Sequence, residues 1–376
     1  MKKILIVVNT PEFFISHRLP IAIAAVKNGY QVHVATGPGL AVDIVKQGGF
    51  VHHLIPFTRS GQNPIMEFYS LIKLYFLLIK IKPLLVHLVT IKPVLYGGIA
   101  ARLAGISAVV AAISGLGTAF KGRTGLEGVR RNLVVFMYRF AFKQKRLVVI
   151  FQNLDDRDTL LSAGAVTLDS ARIIRGSGVD LTEYSFTSEP AGLPVVVMAS
   201  RLLRDKGVTE FVAAARLLRS RGISVDIRLI GTPDFGNPGT ILQDELDEWA
   251  GEDIITLLGF RSDIAKQYAE AHIVCLPSYY GEGLPKTLIE AAACGRPVVT
   301  TDHPGCRDAI IENVTGLLVP IKDSVALADA ISRLIESPRL RVRMGSAGRA
   351  LAESEFAIEI IVRQHLDIYE ELTCND

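Results

Sequence analysis

Two carboxylates, two cations and a proline-started helix carry most of the chemistry available in this sequence. Glu282 and Glu290 stand in GEGLPKTLIEAAACGRP, where Pro285 suits a first helical position, Gly295 suits a positive-φ cap and Pro297 blocks continuation. A helix is therefore predicted from about Pro285 to Cys294. Its start follows the apolar run HIVCLPS and a turn flanked by Gly281 and Gly283. Backbone N–H groups there point toward the strand ends, a place that suits phosphate. Glu282 on the loop and Glu290 in the second turn both reach a ligand at that position, with neutral hydroxyls as their partners. Upstream, PVVVMASRLLRDKGV sets Arg201 just after a strand and Lys206 ahead of a helix. Both cations can converge on a diphosphate at the carboxyl ends of parallel strands. Diphosphate beside hydroxyls describes a nucleotide sugar. Solvated side chains are the competing reading, weaker for Glu290 because LIEAAA is too apolar a face to leave in water.

These groups need strands and helices to hold them. Short apolar runs (ILIVVN, YQVHVAT, LLVHLV, AVVAAIS, RLVVIFQ) alternate with helical patterns, pause near Thr182 to Leu193, and resume as PVVVMAS, VDIRLIG, IITLLG, HIVCLPS, RPVVTTD and TGLLVP. That rhythm predicts an α/β chain of βαβ units with parallel sheets. A length of 376 residues suits two domains and a cleft. The predicted division is 1–185, 186–355, and a final helical segment, 356–376, that packs back on the first domain.

The net charge of +3 hides an asymmetry. Before Pro190 there are 22 Lys and Arg against 11 Asp and Glu; after it, 19 against 27. A basic first half implies an anionic partner. Lys121, Arg123, Arg130, Arg131, Arg139 and Lys143 concentrate in KGRTGLEGVRRNLVVFMYRFAFKQKR among apolar and aromatic residues. Such a basic amphipathic helix reads as membrane-surface binding. RNA is the rival partner, but no recognised RNA module supplies stacking aromatics, and a solvated helix face is the plain alternative. IMEFYSLIKLYFLLIKIKP is broken by Glu67, Lys73 and Lys80, far short of the ~18 uncharged residues of a bilayer span. KKILIVVNT reads as a buried strand and not a signal peptide. Four cysteines without C-x-x-C spacing suit a reducing compartment.

Candidate groups for a second ligand in the first half follow strands: His17 and Arg18 in NTPEFFISHRLP, Thr90 and Lys92 in VTIKPVLYGG, and Gly115 and Gly117 in ISGLGTAF. The D-x-D pair Asp156 and Asp158 sits at a helix start, where acidic residues complement the dipole, so no metal site is assigned. A dinucleotide dehydrogenase needs G-x-G-x-x-G after its first strand, and VNTPEFF lacks the glycines.

SRLLRDKG, IGTPDFG, LGFRSD, LPSYYGEGLPKTLIEAAACGRPVV and TGLLVP, in this order and spacing, resemble the family 4 glycosyltransferases of the GT-B fold, two Rossmann-like domains facing a cleft. The resemblance covers nearly the whole chain. It implies that Glu282 contacts the transferred sugar, that Glu290 binds ribose, and that Arg201 and Lys206 neutralise the diphosphate. It further implies that Phe260 and Arg261 line the base, with Gly231, Gly283, Leu284 and Pro285 completing the donor site. The implied reaction is retaining transfer from a UDP-sugar by front-side attack, without a metal or other cofactor. EGLPKTLIEAAACG, HPGCRDAI, SGLGTAF and the basic helix resemble the branch that extends saccharides on undecaprenyl diphosphate, N-acetylgalactosaminyltransferases among them. A polyprenyl-diphosphate-linked acceptor, a role in bacterial surface polysaccharide or glycan assembly, and a peripheral place on the cytoplasmic face of the membrane follow from that branch, and nucleic acid is not an expected partner. The chain departs from the family where a histidine often follows the strand of LLVHLV; Val89, Thr90 and Lys92 stand there, which argues against histidine-assisted acceptor activation. A nucleotide-sugar 2-epimerase on the same fold and a non-catalytic sugar- or lipid-binding protein are the competing functions.

Overall fold

The structure, a computed structural model, describes residues 2–57, 63–117 and 125–374. It divides into two compact units, 1–177 with 359–376, and 178–358.

The first unit contains β1 (Lys2–Val7), α1 (Pro11–His17), α2 (Leu19–Lys27), β2 (Tyr30–Thr36), α3 (Val42–Gln47), β3 (Val51–Leu54), α4 (Pro64–Ile81) and β4 (Leu85–Val89). It continues with α5 (Gly98–Leu103), β5 (Ala108–Ile113), α6 (Gly125–Ala141), β6 (Arg146–Phe151), α7 (Leu154–Ser162) and β7 (Ala171–Ile173). All its strands are parallel, in the order β3-β2-β1-β4-β5-β6-β7. The central strands are buried on both faces, which is why they read as unbroken apolar runs and not as alternating ones. Alternate residues feed two cores. Leu5, Val7, Val86, Leu88 and Val109 meet Leu74 and Leu78 of α4, Ala100 of α5 and Tyr138 of α6. Ile4, Ile6, Val34 and Val110 meet Phe14 of α1 and Ile21 of α2.

The second unit contains β8 (Val195–Ala199), α8 (Val208–Ser220), β9 (Asp226–Ile230), α9 (Gln243–Gly251), β10 (Thr256–Gly259), α10 (Ile264–Ala269) and β11 (Ile273–Leu276). Then come α11 (Lys286–Ala293), β12 (Val298–Thr301), β13 (Gly316–Val319), α12 (Ser324–Glu336) and α13 (Pro338–Leu351), after which α14 (Ile358–Thr373) returns the chain to the first unit. The parallel sheet of the second unit runs β10-β9-β8-β11-β12-β13. Strand order therefore reverses between β8 and β11, the position where doubly wound sheets bind ligands beyond their strand ends. α14 is exceptional in its packing. Its Ile361, Ile368, Tyr369 and Leu372 join the core of the first unit beside Phe14 and Ile21.

The division near residue 177 precedes the pause that the sequence shows at Thr182–Leu193. Val179 already bridges Ala357, and Tyr184 packs into the second core, so the pause marks irregular backbone and not the boundary. Lys121 and Arg123 lie outside the described residues. Among the described residues no helix is long and apolar enough to cross a membrane.

Candidate donor site

β8 delivers its chain to the site through Ser200, whose N–H bonds Ile230 O (3.0 Å). A 3-10 turn over Arg204–Lys206 follows, and Gly207 at φ +80° lets the chain enter α8. A Cβ at Gly207 would lie 2.2 Å from Pro277 O, so only glycine permits this approach to the end of β11. Lys206 is thereby pressed inward and largely buried. Its amine lies 2.5 Å from Glu282 Oε2 and 5.7 Å above the Tyr280 ring. Ser278 Oγ donates to the other oxygen, Glu282 Oε1, at 2.8 Å. Arg201, more exposed, bonds Asp234 Oδ2 at 2.7 Å, and Asp234 N is fixed by Thr240 Oγ1 at 2.8 Å. The loops after β8 and β11, on either side of the switch point, thus meet through Lys206 and Glu282, while Arg201 turns to Asp234 after β9.

α11 starts one residue later than expected. Pro285 is its N-cap, because its backbone is still extended (ψ 125°), and Cys294 is the C-cap. Thr287 Oγ1 ties the first turn to Ala199 O at 3.0 Å. Leu284 is buried beneath the turn. Glu290, one turn further, is also buried, 3.3 Å from Lys286 Nζ and hydrogen-bonded by the Tyr184 hydroxyl. Burial raises its carboxyl above the ordinary range, outweighing the opposing pull of Lys286 and of the Tyr184 bond. The Tyr184 phenol is held far above its ordinary value, by burial and then by Glu290. Tyr184 and Asp234 were not legible as site residues. Tyr184 lies in the segment that reads as a linker, and no spacing links Asp234 to Arg201.

Phe260 projects its ring into solvent just after β10, beside Arg261, whose guanidinium makes a bidentate pair with Asp263 (2.8 and 2.7 Å). Gly231 packs backbone against backbone. At φ +143°, a Cβ there would sit 1.9 Å from Ser200 O, and its N–H bonds Gly259 O (2.8 Å). Its role is to let β9 end against the Arg201 loop.

The first unit corrects several expectations. Arg18 is buried, its Nη1 donating to His17 O (2.8 Å) and its guanidinium lowered to about 10 by burial, so it is enclosed by the fold and not on the open loop face that the sequence suggests. Lys92 pairs with Glu67 at 2.6 Å, so a ligand there would have to share the cation with that carboxylate. His17 stacks on Phe13 (3.9 Å between rings), with Nδ1 2.6 Å from Ser16 Oγ. Arg139 gives Nε and Nη2 to Ala163 O, capping α7. Thr90 is an outlier: a β-branched residue at φ +72°, just past β4. Its Oγ1, Asn9 Oδ1 after β1 and Ser114 Oγ after β5 are buried without hydrogen-bond partners, at the ends of three adjacent strands. Gly115 and Gly117 follow with φ +99° and +56°. Asp156 and Asp158 diverge, the first to Asn153 and the second to Arg157. Among the described residues no group of three or more acidic, histidine or cysteine side chains gathers as a metal site.

Comparison with known proteins finds a family match in each half. Residues 3–153 match the model described as Glycosyl transferase 4-like, and residues 182–351 match Glycosyl transferases group 1. A Campylobacter jejuni N,N'-diacetylbacillosaminyl-diphospho-undecaprenol alpha-1,3-N-acetylgalactosaminyltransferase is 28% identical over 342 residues, 85% of each chain. A glycosyltransferase structure from Rickettsia africae superposes with a TM-score of 0.80 at 19% identity, covering 100% of this chain and 99% of the other. Anabaena HepE in complex with UDP superposes at 0.78 and 20% identity, covering 99% and 100%. With two parallel Rossmann-like sheets and a family match in each half, this chain belongs to the family 4, group 1 glycosyltransferases of GT-B fold.

Proposed function

We propose that the chain is a retaining, metal-independent glycosyltransferase that moves a hexose or N-acetylhexosamine, such as N-acetylgalactosamine, from a UDP-sugar to a polyprenyl-diphosphate-linked saccharide in surface polysaccharide or glycan assembly. The observation that carries this reading is the largely buried Lys206–Glu282 pair at the switch point of the second sheet, with Arg201 earlier on the same loop after β8. Arg201 and Lys206 neutralise the leaving diphosphate; preorganised charge of this kind is worth ~100-fold or more in rate per group. Glu282, tied to Lys206 and Ser278, orients sugar hydroxyls. A carboxylate so engaged is a poor nucleophile, which favours front-side attack in which the departing phosphate oxygen takes the acceptor proton. Glu290 holds ribose hydroxyls, with Tyr184 and Lys286 fixing its rotamer, and Phe260 offers an exposed ring to the base. The UDP complex of HepE and the lipid-linked substrate named for the Campylobacter relative support donor and acceptor class. Arg130 and Arg131 on α6 contact an anionic membrane surface, holding the enzyme peripherally on the cytoplasmic leaflet.

The deciding experiment is a panel of labelled UDP-sugars with undecaprenyl-diphosphate-linked acceptors, with product anomers assigned by NMR and the assay repeated in EDTA. Acceptor-dependent UDP release with retained configuration, unchanged by EDTA, is expected. UDP release from no donor, or epimerised donor without acceptor, overturns the reading.

A further inference from the structure

α4 is apolar on two opposite faces. Ser70, Leu74, Leu78 and Ile81 point into the core. Ile65, Phe68, Ile72, Phe76 and Ile79 recur at three- and four-residue spacing on the reverse side, where all but the half-buried Ile72 are exposed. α6, in the same layer over the same core, repeats the pattern: Tyr138 and Ala141 face inward, while Val129, Leu133 and Phe136 face solvent. Phe68, Phe76 and Phe136 are each 64% exposed, a scale of exposed apolar surface that marks an interaction site.

Charge identifies the occupant. Between Asn63 and Lys145 the sequence has 12 Lys and Arg and only two acids, Glu67 and Glu127. Glu67 is turned inward onto Lys92. Each stripe also ends in a cation-lined hollow. A cavity of about 1030 Å³ at the end of α4 is bordered by Lys2, Lys3, Lys80 and Lys82. A second, of about 780 Å³ at the end of α6, is bordered by Arg102, Arg139, Lys143 and Lys145. Two copies of this chain would oppose cation to cation, whereas a bilayer of anionic lipid offers acyl chains to the stripes and headgroup phosphates to the hollows. α4 is too charged to cross a bilayer and is suited to lying in its surface.

We propose that α4 and α6 form one membrane-seating face, with Phe68, Phe76 and Phe136 entering the headgroup–acyl boundary of an anionic phospholipid bilayer. The inference extends the peripheral-membrane reading of α6 to a helix with no assigned role. Vesicle flotation of the full chain tests it, with phosphatidylcholine alone or mixed with phosphatidylglycerol. Wild type should float only with the anionic lipid, and F68S/F76S should bind roughly tenfold or more weakly at unchanged melting temperature. A Phe76→Trp reporter should be quenched by lipids brominated on the acyl chain, over the background of the single, buried Trp249. Wild-type flotation of F68S/F76S together with loss of flotation in R130E/R131E would place docking on α6 alone and overturn the proposal. An unquenched reporter overturns it, and so does a lipid-free dimer that F68S/F76S abolishes. Binding is read without turnover, so failure of the catalytic reading is distinguished from failure of this one.

Discussion

The Lys206 amine, 2.5 Å from Glu282 Oε2, joins the loop after β8 to the loop after β11 at the point where strand order reverses. Both side chains are close to fully buried, 11% and 14% exposed. The site therefore rests with its most buried cation already neutralised, and an arriving diphosphate must share it.

Removing either partner leaves a poorly solvated charge. Lys206→Ala should cost about 2 kcal/mol in urea unfolding, below the full buried-pair value because some solvent remains. Lys206→Ala/Glu282→Ala should cost less than the sum of the single variants. Transfer should fall ~100-fold or more in each single variant. Strictly additive stabilities would refute the coupling, and near-wild-type turnover in Lys206→Ala would remove its assigned role.

Arg201 is held by Asp234 at 2.7 Å on a partly exposed side chain. If that carboxylate competes with the donor diphosphate, Asp234→Asn should tighten UDP binding by about 2- to 5-fold, the worth of such a pair. Calorimetric titration decides; weaker binding in Asp234→Asn would show instead that Asp234 positions Arg201.

Glu290 has its carboxyl raised by burial, so the folded state prefers it protonated. Its contribution to stability is complete below the unfolded carboxylate value and is lost as pH rises through the raised folded value. Glu290→Gln lacks this loss. The variant should gain melting temperature relative to wild type as pH climbs from about 4 to 7, while UDP-induced stabilisation disappears. A pH-independent difference would contradict the assigned burial. Tyr184→Phe, which strips one bond from the same carboxylate, should cost about 1–2 kcal/mol.

A second titration sits in the first unit. His87 and His365 stack at 5.6 Å, with His87 Nδ1 2.6 Å from the Tyr369 hydroxyl. Burial first, then the Arg18 charge, holds both imidazoles below the ordinary value, His365 at about 3. Depressed folded values mean that stability is complete above the unfolded value near 6.5 and drains as pH falls toward 3. For His365 alone the drain is on the order of 4–5 kcal/mol across that window. His365→Gln should flatten the acid limb of the stability profile in urea titrations at stepped pH. An unchanged slope would exclude this histidine as its source.

The strands of both sheets were legible in the sequence wherever they are buried on both faces, since β-branched runs such as LLVHLV and PVVVMAS have no other stable disposition. Two short edge strands, β3 and β7, carry no such run; β3 is half-exposed, and hydrogen bonding to a neighbour defines each. The places of Arg201, Lys206 and Glu282 on loops after apolar strands were likewise visible, and so was the start of α11 to within one residue, because strand ends and Pro285 are local grammar. Partnership was not. Asp234 meets Arg201 and Tyr184 meets Glu290 across many residues of intervening chain, through sheet register that no local pattern encodes. The same limit explains Arg18 and Lys92, cations that local spacing assigns to a ligand and that folding encloses or pairs with Glu67. By itself the sequence determined the buried strands, the two-sheet α/β class and the family. Tertiary structure alone decided which charges neutralise one another, which face of α4 stays bare, and which side chains of α14 enter the core of the first unit, because burial and pairing depend on what comes near in space.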